Sequence, residues 1–213
     1  MKESPFDIHA ERYDRWYGEN RAVYGSELEA IKELLPDVIP KKSLEIGVGT
    51  ARFASALAIS YGLDPSAKML EIAGKRGIEL IKGVAEKLPL KDSSMELILI
   101  VTSLCFTDKE QTLREIHRVL VPGGKLIVAF IERNSPLGKE YRKKASEKSF
   151  FRNATFYSTT EIINSLEEHE FSEPVLRQTL FRPLQEIKAP EKPLEGFGKG
   201  SFVVIKATNI KDW

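Results

Sequence analysis

The sequence predicts an α/β fold: a doubly wound, mostly parallel seven-stranded sheet with an antiparallel C-terminal edge strand. Three observations carry that expectation. Short apolar runs alternate with helical patterns through the first two thirds of the chain, the order that parallel strands joined by crossover helices require. One run, "MELILIVTS" from Met95, is apolar at nearly every residue, as befits a strand covered on both faces. The last two strand candidates follow one another without a helix between them, which suggests an antiparallel hairpin.

Taken in order, residues from about Arg21 to Leu35 place Leu28, Ile31, Leu34 and Leu35 on one helical face, and Pro36 ends the pattern. A strand at Ser43 to Gly47 leads to a helix from Thr50 to Ile59, then to a very short strand ending at Asp64. Pro65 suits the first turn of a helix running from Ser66 to about Lys75. "IELIKG" and "MELILIVTS" are the next strands, separated by the loop "VAEKLPLKDSS". Thr107 and Asp108 are capping residues for a helix to Leu120, with Leu113, Ile116 and Leu120 facing the core, and Pro122 to Gly124 stops it before the strand "KLIVAF". "SPLGKEYRKKASEKSFFR" reads as a basic, partly helical insertion. Ser158 and Glu161 form a capping box for a helix carrying Ile162, Ile163 and Leu166. Strands at about Pro174 to Phe181 and Ser201 to Ala207 finish the chain, with a Pro- and Gly-rich loop between them.

Composition narrows the function classes. A chain of 213 residues, 42% hydrophobic and 30% charged, suits one soluble domain of ordinary size. Thirty-two basic against 31 acidic side chains leave a net charge of +1, too little for a broad nucleic-acid surface. No signal-peptide pattern and no membrane-length apolar segment is present, so a cytoplasmic protein without membrane insertion is expected. One cysteine, Cys105, excludes an intrachain disulfide framework and a cysteine-cluster metal site; no metal is expected.

The chemistry concentrates in "SLEIGVGTARFA", Ser43 to Ala54. A strand carrying Glu45 meets Gly47 and Gly49 and turns at once into a helix. In open α/β sheets the first such turn faces the ligand crevice, and missing β-carbons let backbone approach a ligand and adopt positive φ. A nicotinamide fingerprint would want a third glycine where Arg52 stands, and a phosphate loop would want Gly-Lys-Ser/Thr; both are absent. Asp64, at the end of the next strand, either accepts from both hydroxyls of a ribose or caps the following helix.

Five stretches in order, "AERYDRWY", "LEIGVGTARFA", "GLDPSAKML", "GVAEKLPLKDSSMELILI" and "LREIHRVLVPGGKLIV", resemble the class I S-adenosylmethionine-dependent methyltransferases. The likeness is greatest to their small-molecule branch, which includes ubiquinone and menaquinone biosynthesis enzymes. It runs from about Phe6 to Phe130 and returns at Tyr157 to Phe171. It implies the Rossmann-like methyltransferase fold as a single domain over 1–213: an N-terminal helical cap at 1–40, a cofactor-binding core at 41–131, a lid-like insertion at 132–156, and a C-terminal helix and strand pair at 157–213.

The resemblance also implies roles by position. S-adenosyl-L-methionine would be the cofactor, with Gly47 and Gly49 bordering its methionine portion and Glu45 orienting that turn or meeting the ammonium through water. Asp64, with Pro65 beside it, would hold the ribose hydroxyls. Ala85 would present its N–H to the adenine, flanked by Val84 and Glu86, while Thr102 and Ser103 would lie at the methionine end. Tyr13 and Tyr17 would close over cofactor and substrate. Two residues depart from the family pattern: Ala51 replaces a third glycine, and Val84 replaces an aspartate that accepts from the adenine amino group. The Gly49-to-Asp64 stretch is also short, which fits a trimmed first helix or second strand.

Methyl transfer from an activated sulfonium needs chiefly a nucleophile held in line and water excluded. Tyr13, Trp16, Tyr17 and Phe106 are aromatic faces suited to the positive sulfur, and His9, Tyr13 and Tyr17 are the candidate catalytic side chains. His117 and His169 read as structural, and Cys105 as a small buried residue. The expected activity is methyl transfer to a small-molecule acceptor. A cofactor-binding or regulatory protein without turnover, or a nicotinamide oxidoreductase, are the alternatives the sequence leaves open; acceptor identity and oligomeric state are not readable.

Overall fold

The structure, a computed structural model, describes residues 5–144, 150–172 and 174–211. Helices α1 (Pro5–Ile8), α2 (Ala10–Glu19) and α3 (Arg21–Lys32) precede the sheet. Strand β1 (Ser43–Ile46) leads through α4 (Arg52–Ala56) to β2 (Tyr61–Asp64), and α5 (Ala67–Ala73) leads to β3 (Glu79–Lys82). Then come β4 (Met95–Val101), α6 (Lys109–Val119), β5 (Leu120–Ile131), α7 (Pro136–Lys143) and α8 (Thr159–Glu168). Strands β6 (Val175–Thr179), β7 (Leu194–Glu195) and β8 (Phe202–Thr208) complete the chain.

Among the described residues, one sheet holds all eight strands in the order β3-β2-β1-β4-β5-β8-β6-β7. The first five pair in parallel, and β8 and β6 continue antiparallel. The expected hairpin partners are therefore neighbours, with β8 inserted between β5 and β6. The count exceeds seven because the linker contributes the two-residue β7 at the edge, paired only over Arg177–Glu195 and Gln178–Leu194. So short a strand carries no apolar pattern to read.

The central strands are buried on both faces. Leu97, Leu99 and Val101 of β4 join one core cluster with Phe53 and Ile31, while Ile98 and Ile100 join the other with Leu113 and Ile116. This is why "MELILIV" has no polar alternation. On α3 the buried stripe is Val23, Ser26, Glu27, Ala30 and Ile31, so Leu28 and Leu35, expected on the core face, are only partly buried at its edge. Helix α4 is five residues rather than ten, because Ala51 before it and Ala58 after it take left-handed backbone at φ +62° and +56°.

Caps follow the sequence with three adjustments, the first being that α6 ends at Val119 and β5 already runs from Leu120 through Pro122–Gly124, so those residues lie in the strand and do not stop the helix. Ser158 and Glu161 form the full capping box of α8. Asp108 alone caps α6, accepting from the Gln111 N–H at 3.0 Å. Ser66 caps α5, accepting from the Met69 N–H at 3.1 Å, so Pro65 sits just before the cap instead of in the first turn. Among the described residues, no helix is long and apolar enough to cross a membrane.

Candidate active site

Strand order reverses between β1 and β4, and in an open sheet the crevice at that point, beyond the carboxyl ends of the strands, receives the ligand. A cavity of about 890 Å³ opens there, near the upper end of the roughly 300–1,000 Å³ usual for small-molecule sites. It is lined by the Gly47–Gly49 bend, Asp64 and Ala85 and by the aromatic side chains of Trp16, Tyr141 and Phe151.

The bend needs bare backbone for two separate reasons. Gly47 has φ +68°, and a β-carbon there would lie 2.4 Å from Cβ of Ser103. Ser103 is fixed in turn by donating its hydroxyl to the Ile46 carbonyl at 2.9 Å, so the ends of β1 and β4 are locked in close approach. Gly49 has φ +53°, and a β-carbon would stand 3.5 Å from the Tyr13 ring. Asp64 shapes the same bend. Its Oδ2 accepts from the Gly49 N–H at 2.9 Å and its Oδ1 from the Ser66 N–H at 2.8 Å. Each carboxylate oxygen keeps a lone pair for a further donor. Burial raises the Asp64 carboxyl, the two N–H bonds oppose that rise, and the charge of Asp7 adds to it.

Glu45 does not line the cavity. It is 2% exposed behind the bend, where its carboxyl accepts from the Ala54 N–H and so caps the first turn of α4, whose own cap residue Ala51 has no side chain to offer. Its Oε2 has no partner, and burial, opposed by the Ala54 bond and aided by the Asp64 charge, holds the group well above the usual carboxylate range. In the loop after β3, Val84 stands 44% exposed at the cavity wall beside buried Ala85. One oxygen of Glu86 is already taken by the Asp108 N–H at 3.0 Å.

Helices α1 and α2 roof the bend. Asp7 accepts from the Ser66 hydroxyl at 2.6 Å. Asp14 receives a fork from Arg52 at 2.8 and 2.7 Å and a bond from Arg76 at 2.9 Å, and Arg76 also donates to the Thr50 carbonyl at 2.6 Å. Burial works against the Asp14 charge, yet the Arg52 bond and the Arg76 and Arg52 charges bring its carboxyl down to about 2. Tyr13 and Tyr17 share a 2.8 Å hydroxyl contact one turn apart, and burial pushes both phenols up.

Of the positions singled out from sequence, Tyr13, Tyr17, Gly47, Gly49, Asp64, Pro65, Val84, Ala85, Glu86, Thr102 and Ser103 all line this one cavity, as do Trp16 and Phe106. His9 does not; its ring packs edge-on against Phe150. His117 and His169 lie by Glu170 and Glu110 on the far side of the fold. Cys105 donates to the Thr102 carbonyl and burial pushes its thiol up to about 12. Sequence reasoning missed Glu27, Tyr141, Phe150 and Phe151, which also line the cavity. Glu27 was detectable, since it breaks an apolar i, i+4, i+8 series from Val23 to Ile31.

The arrangement fits an adenosyl sulfonium. A bare bend at a strand crossover and, beside it, a carboxylate with lone pairs to spare for hydroxyl donors make a cradle, while aromatic faces suit a positive centre. Comparison with known proteins points the same way. Residues 44–128 match the methyltransferase domain family. An uncharacterised protein of Methanocaldococcus jannaschii is 42% identical over 206 residues, covering 96% of this chain and 98% of its own. The demethylmenaquinone methyltransferase of Thermotoga maritima is 38% identical over 137 residues, 58% of either chain. The crystal structure of a SAM-dependent methyltransferase from Thermotoga maritima, a possible histamine N-methyltransferase, superposes with a TM-score of 0.91 at 46% identity, covering 96% of this chain and 98% of that one. With a bare-backbone bend at the switch point and two relatives each similar over 96% of this chain and 98% of their own, the chain belongs to the S-adenosylmethionine-dependent methyltransferases, and S-adenosylmethionine is its cofactor.

Proposed function

We propose that this enzyme methylates a small molecule by in-line displacement, with positioning as the main source of rate. The observation that carries the reading is the single continuous cavity: it joins the Gly47–Asp64 bend to an aromatic end that the cofactor residues do not use. When bound, S-adenosylmethionine supplies a methyl group already activated on positive sulfur.

The chain's own residues then have four tasks. Asp64 holds the ribose hydroxyls through the lone pairs left by Gly49 and Ser66. Val84, Ala85 and Glu86 flank the adenine; with no aspartate at 84, one face of that pocket is apolar and the free Glu86 oxygen is the nearest acidic acceptor. Glu45, Gly47, Gly49, Thr102 and Ser103 fix the methionine end, and Thr102, at φ +48°, turns the chain away from the crevice as β4 ends. Tyr13 and Tyr17 cover the site and exclude water, which aligns the acceptor and strengthens each polar contact inside. The size of the cavity and the small net charge support a metabolite over a nucleic acid. So do the two Thermotoga maritima relatives, one acting on demethylmenaquinone and one suggested to act on histamine.

The test is calorimetry with S-adenosylhomocysteine, followed by transfer of labelled methyl to a metabolite panel. Asp64→Ala should weaken S-adenosylhomocysteine binding by about 10- to 100-fold, the worth of hydrogen bonds to a charged group. An unchanged titration removes Asp64 from the cofactor site, and label recovered only in macromolecules removes the small-molecule acceptor.

A further inference from the structure

Glu27 has no place in the account so far. It sits in the middle of the buried stripe of α3, is 6% exposed, and lines the cavity. No hydrogen-bond donor among the described residues reaches its carboxyl. A buried carboxyl without a partner weakens a fold, and the packing around it, Val23, Ala30 and Ile31 on the same helix, would take an apolar side chain as readily.

The cavity wall that it shares is rich in aromatic rings, Tyr13, Trp16, Tyr17 and Tyr141 among them. The Glu27 charge bears on Tyr13 and Tyr17 of α2, Tyr24 of α3 and Tyr141 of α7, and the Trp16 ring stands against Tyr17. Glu45, on β1, acts on the Tyr13, Tyr17 and Tyr24 phenols from behind the bend. The basic side chains of the cavity wall are engaged elsewhere: Arg12 lies over the Phe150 ring at 5.7 Å, and Lys144 pairs with Glu140 at 2.6 Å. A buried carboxylate on a cavity wall that also carries Tyr13, Trp16, Tyr17 and Tyr141, with the basic side chains of that wall engaged elsewhere, favours a positive ligand.

We propose that Glu27 is the acceptor-recognition residue and that the acceptor is a small alkylamine, bound as its ammonium between this carboxylate and the aromatic walls. The inference rests on the methyltransferase reading above and names its substrate class. In the reaction one ammonium proton passes to a Glu27 oxygen, freeing the nitrogen lone pair. That pair forms the C–N bond as the C–S bond breaks, the sulfur keeping the electron pair as a thioether and the product leaving as a methylated ammonium. Glu27 then returns its proton to water. Burial, which pushes the Glu27 carboxyl up to about 8, suits a group that must hold and release a proton near neutral pH.

The experiment measures binding to the enzyme saturated with S-adenosylhomocysteine, using 2-phenylethylamine, histamine and 2-phenylethanol as probes, for the wild type and Glu27→Gln. At least one amine should bind the wild type and the alcohol should not. Glu27→Gln should weaken the amine by tenfold or more while S-adenosylhomocysteine binding stays within twofold. In the wild type, the Glu27 carboxyl followed by carbon NMR should titrate at least one pH unit lower with the amine bound. This measurement decides the matter if the variant does not fold. Equal amine affinity in the two proteins, equal binding of the alcohol, no amine bound, or an unmoved titration overturns the inference. Loss of S-adenosylhomocysteine binding by the wild type would instead overturn the methyltransferase reading beneath it.

Discussion

Ala51 stands at φ +62°, fully buried, where the resemblance read from the sequence implies a third glycine. Left-handed backbone costs an alanine ~1–2 kcal/mol. Against that, its buried methyl contributes ~0.8 kcal/mol, and alanine restricts the unfolded chain by ~0.4–1 kcal/mol relative to glycine. The terms nearly cancel, which explains why alanine persists. Ala51→Gly should accordingly leave urea stability within about 1 kcal/mol of the wild type. Ala51→Val, adding a branched side chain at the same φ with no space for it, should cost more than about 2 kcal/mol. A well-tolerated valine would show that this backbone relaxes and that the left-handed turn is not rigid. The residue was visible in the sequence as a departure; its conformation was not, because an alanine after "GVGT" fits a helical first turn equally well.

At the level of elements, the N-terminal helices are held over the cofactor bend by a few polar ties. Asp14 of α2 joins Arg52 of α4 and Arg76 beyond α5, and Asp7 of α1 joins Ser66 at the start of α5. Because the Asp14 carboxyl lies below its ordinary 3.8, near 2, its contribution is complete above pH 3.8 and is lost as pH falls toward 2. Asp14→Asn removes the charge at all pH values. Amide hydrogen exchange over 10–19 should then speed up relative to α6 and β4, with a weaker hold on S-adenosylhomocysteine. Exchange that is unaltered there would mean that the aromatic contacts of Tyr13 and Tyr17, not this ion pair, seat the roof. The sequence showed aromatic residues at 13, 16 and 17 and an arginine at 52, but the meeting of Arg52 with Asp14 across 38 residues depends on the path of the chain.

For the molecule as a whole, buried carboxyls set the pH response. The Glu27 carboxyl is raised from 4.5 to about 8 by burial. Such a group adds most to stability below pH 4.5, and that contribution disappears as pH rises through 8. Between pH 6 and pH 9 the loss should be roughly 2–3 kcal/mol. Urea unfolding of the wild type and Glu27→Gln at the two pH values checks this. The variant should lose less on going to pH 9, with Glu45 accounting for what dependence persists. Parallel curves for the two proteins would place the Glu27 carboxyl in contact with water.

Read along the chain, hydrophobic period and turn chemistry were enough for the alternating strands and helices, the Gly47–Gly49 bend and the Ser158–Glu161 capping box, because each is encoded within a few neighbouring residues; the family came from the resemblance of five stretches in order. The insertion of β8 between β5 and β6, the left-handed Ala51, the roof tied through Asp14, and the unpaired carboxyl of Glu27 in an aromatic chamber come from segments far apart in sequence. Their energies depend on burial and on which partners arrive, and a local pattern holds neither. The strand crossover between β1 and β4 brings them to one crevice, and there a glutamate that the sequence shows only as a break in an apolar helical series becomes a buried group on a cavity wall.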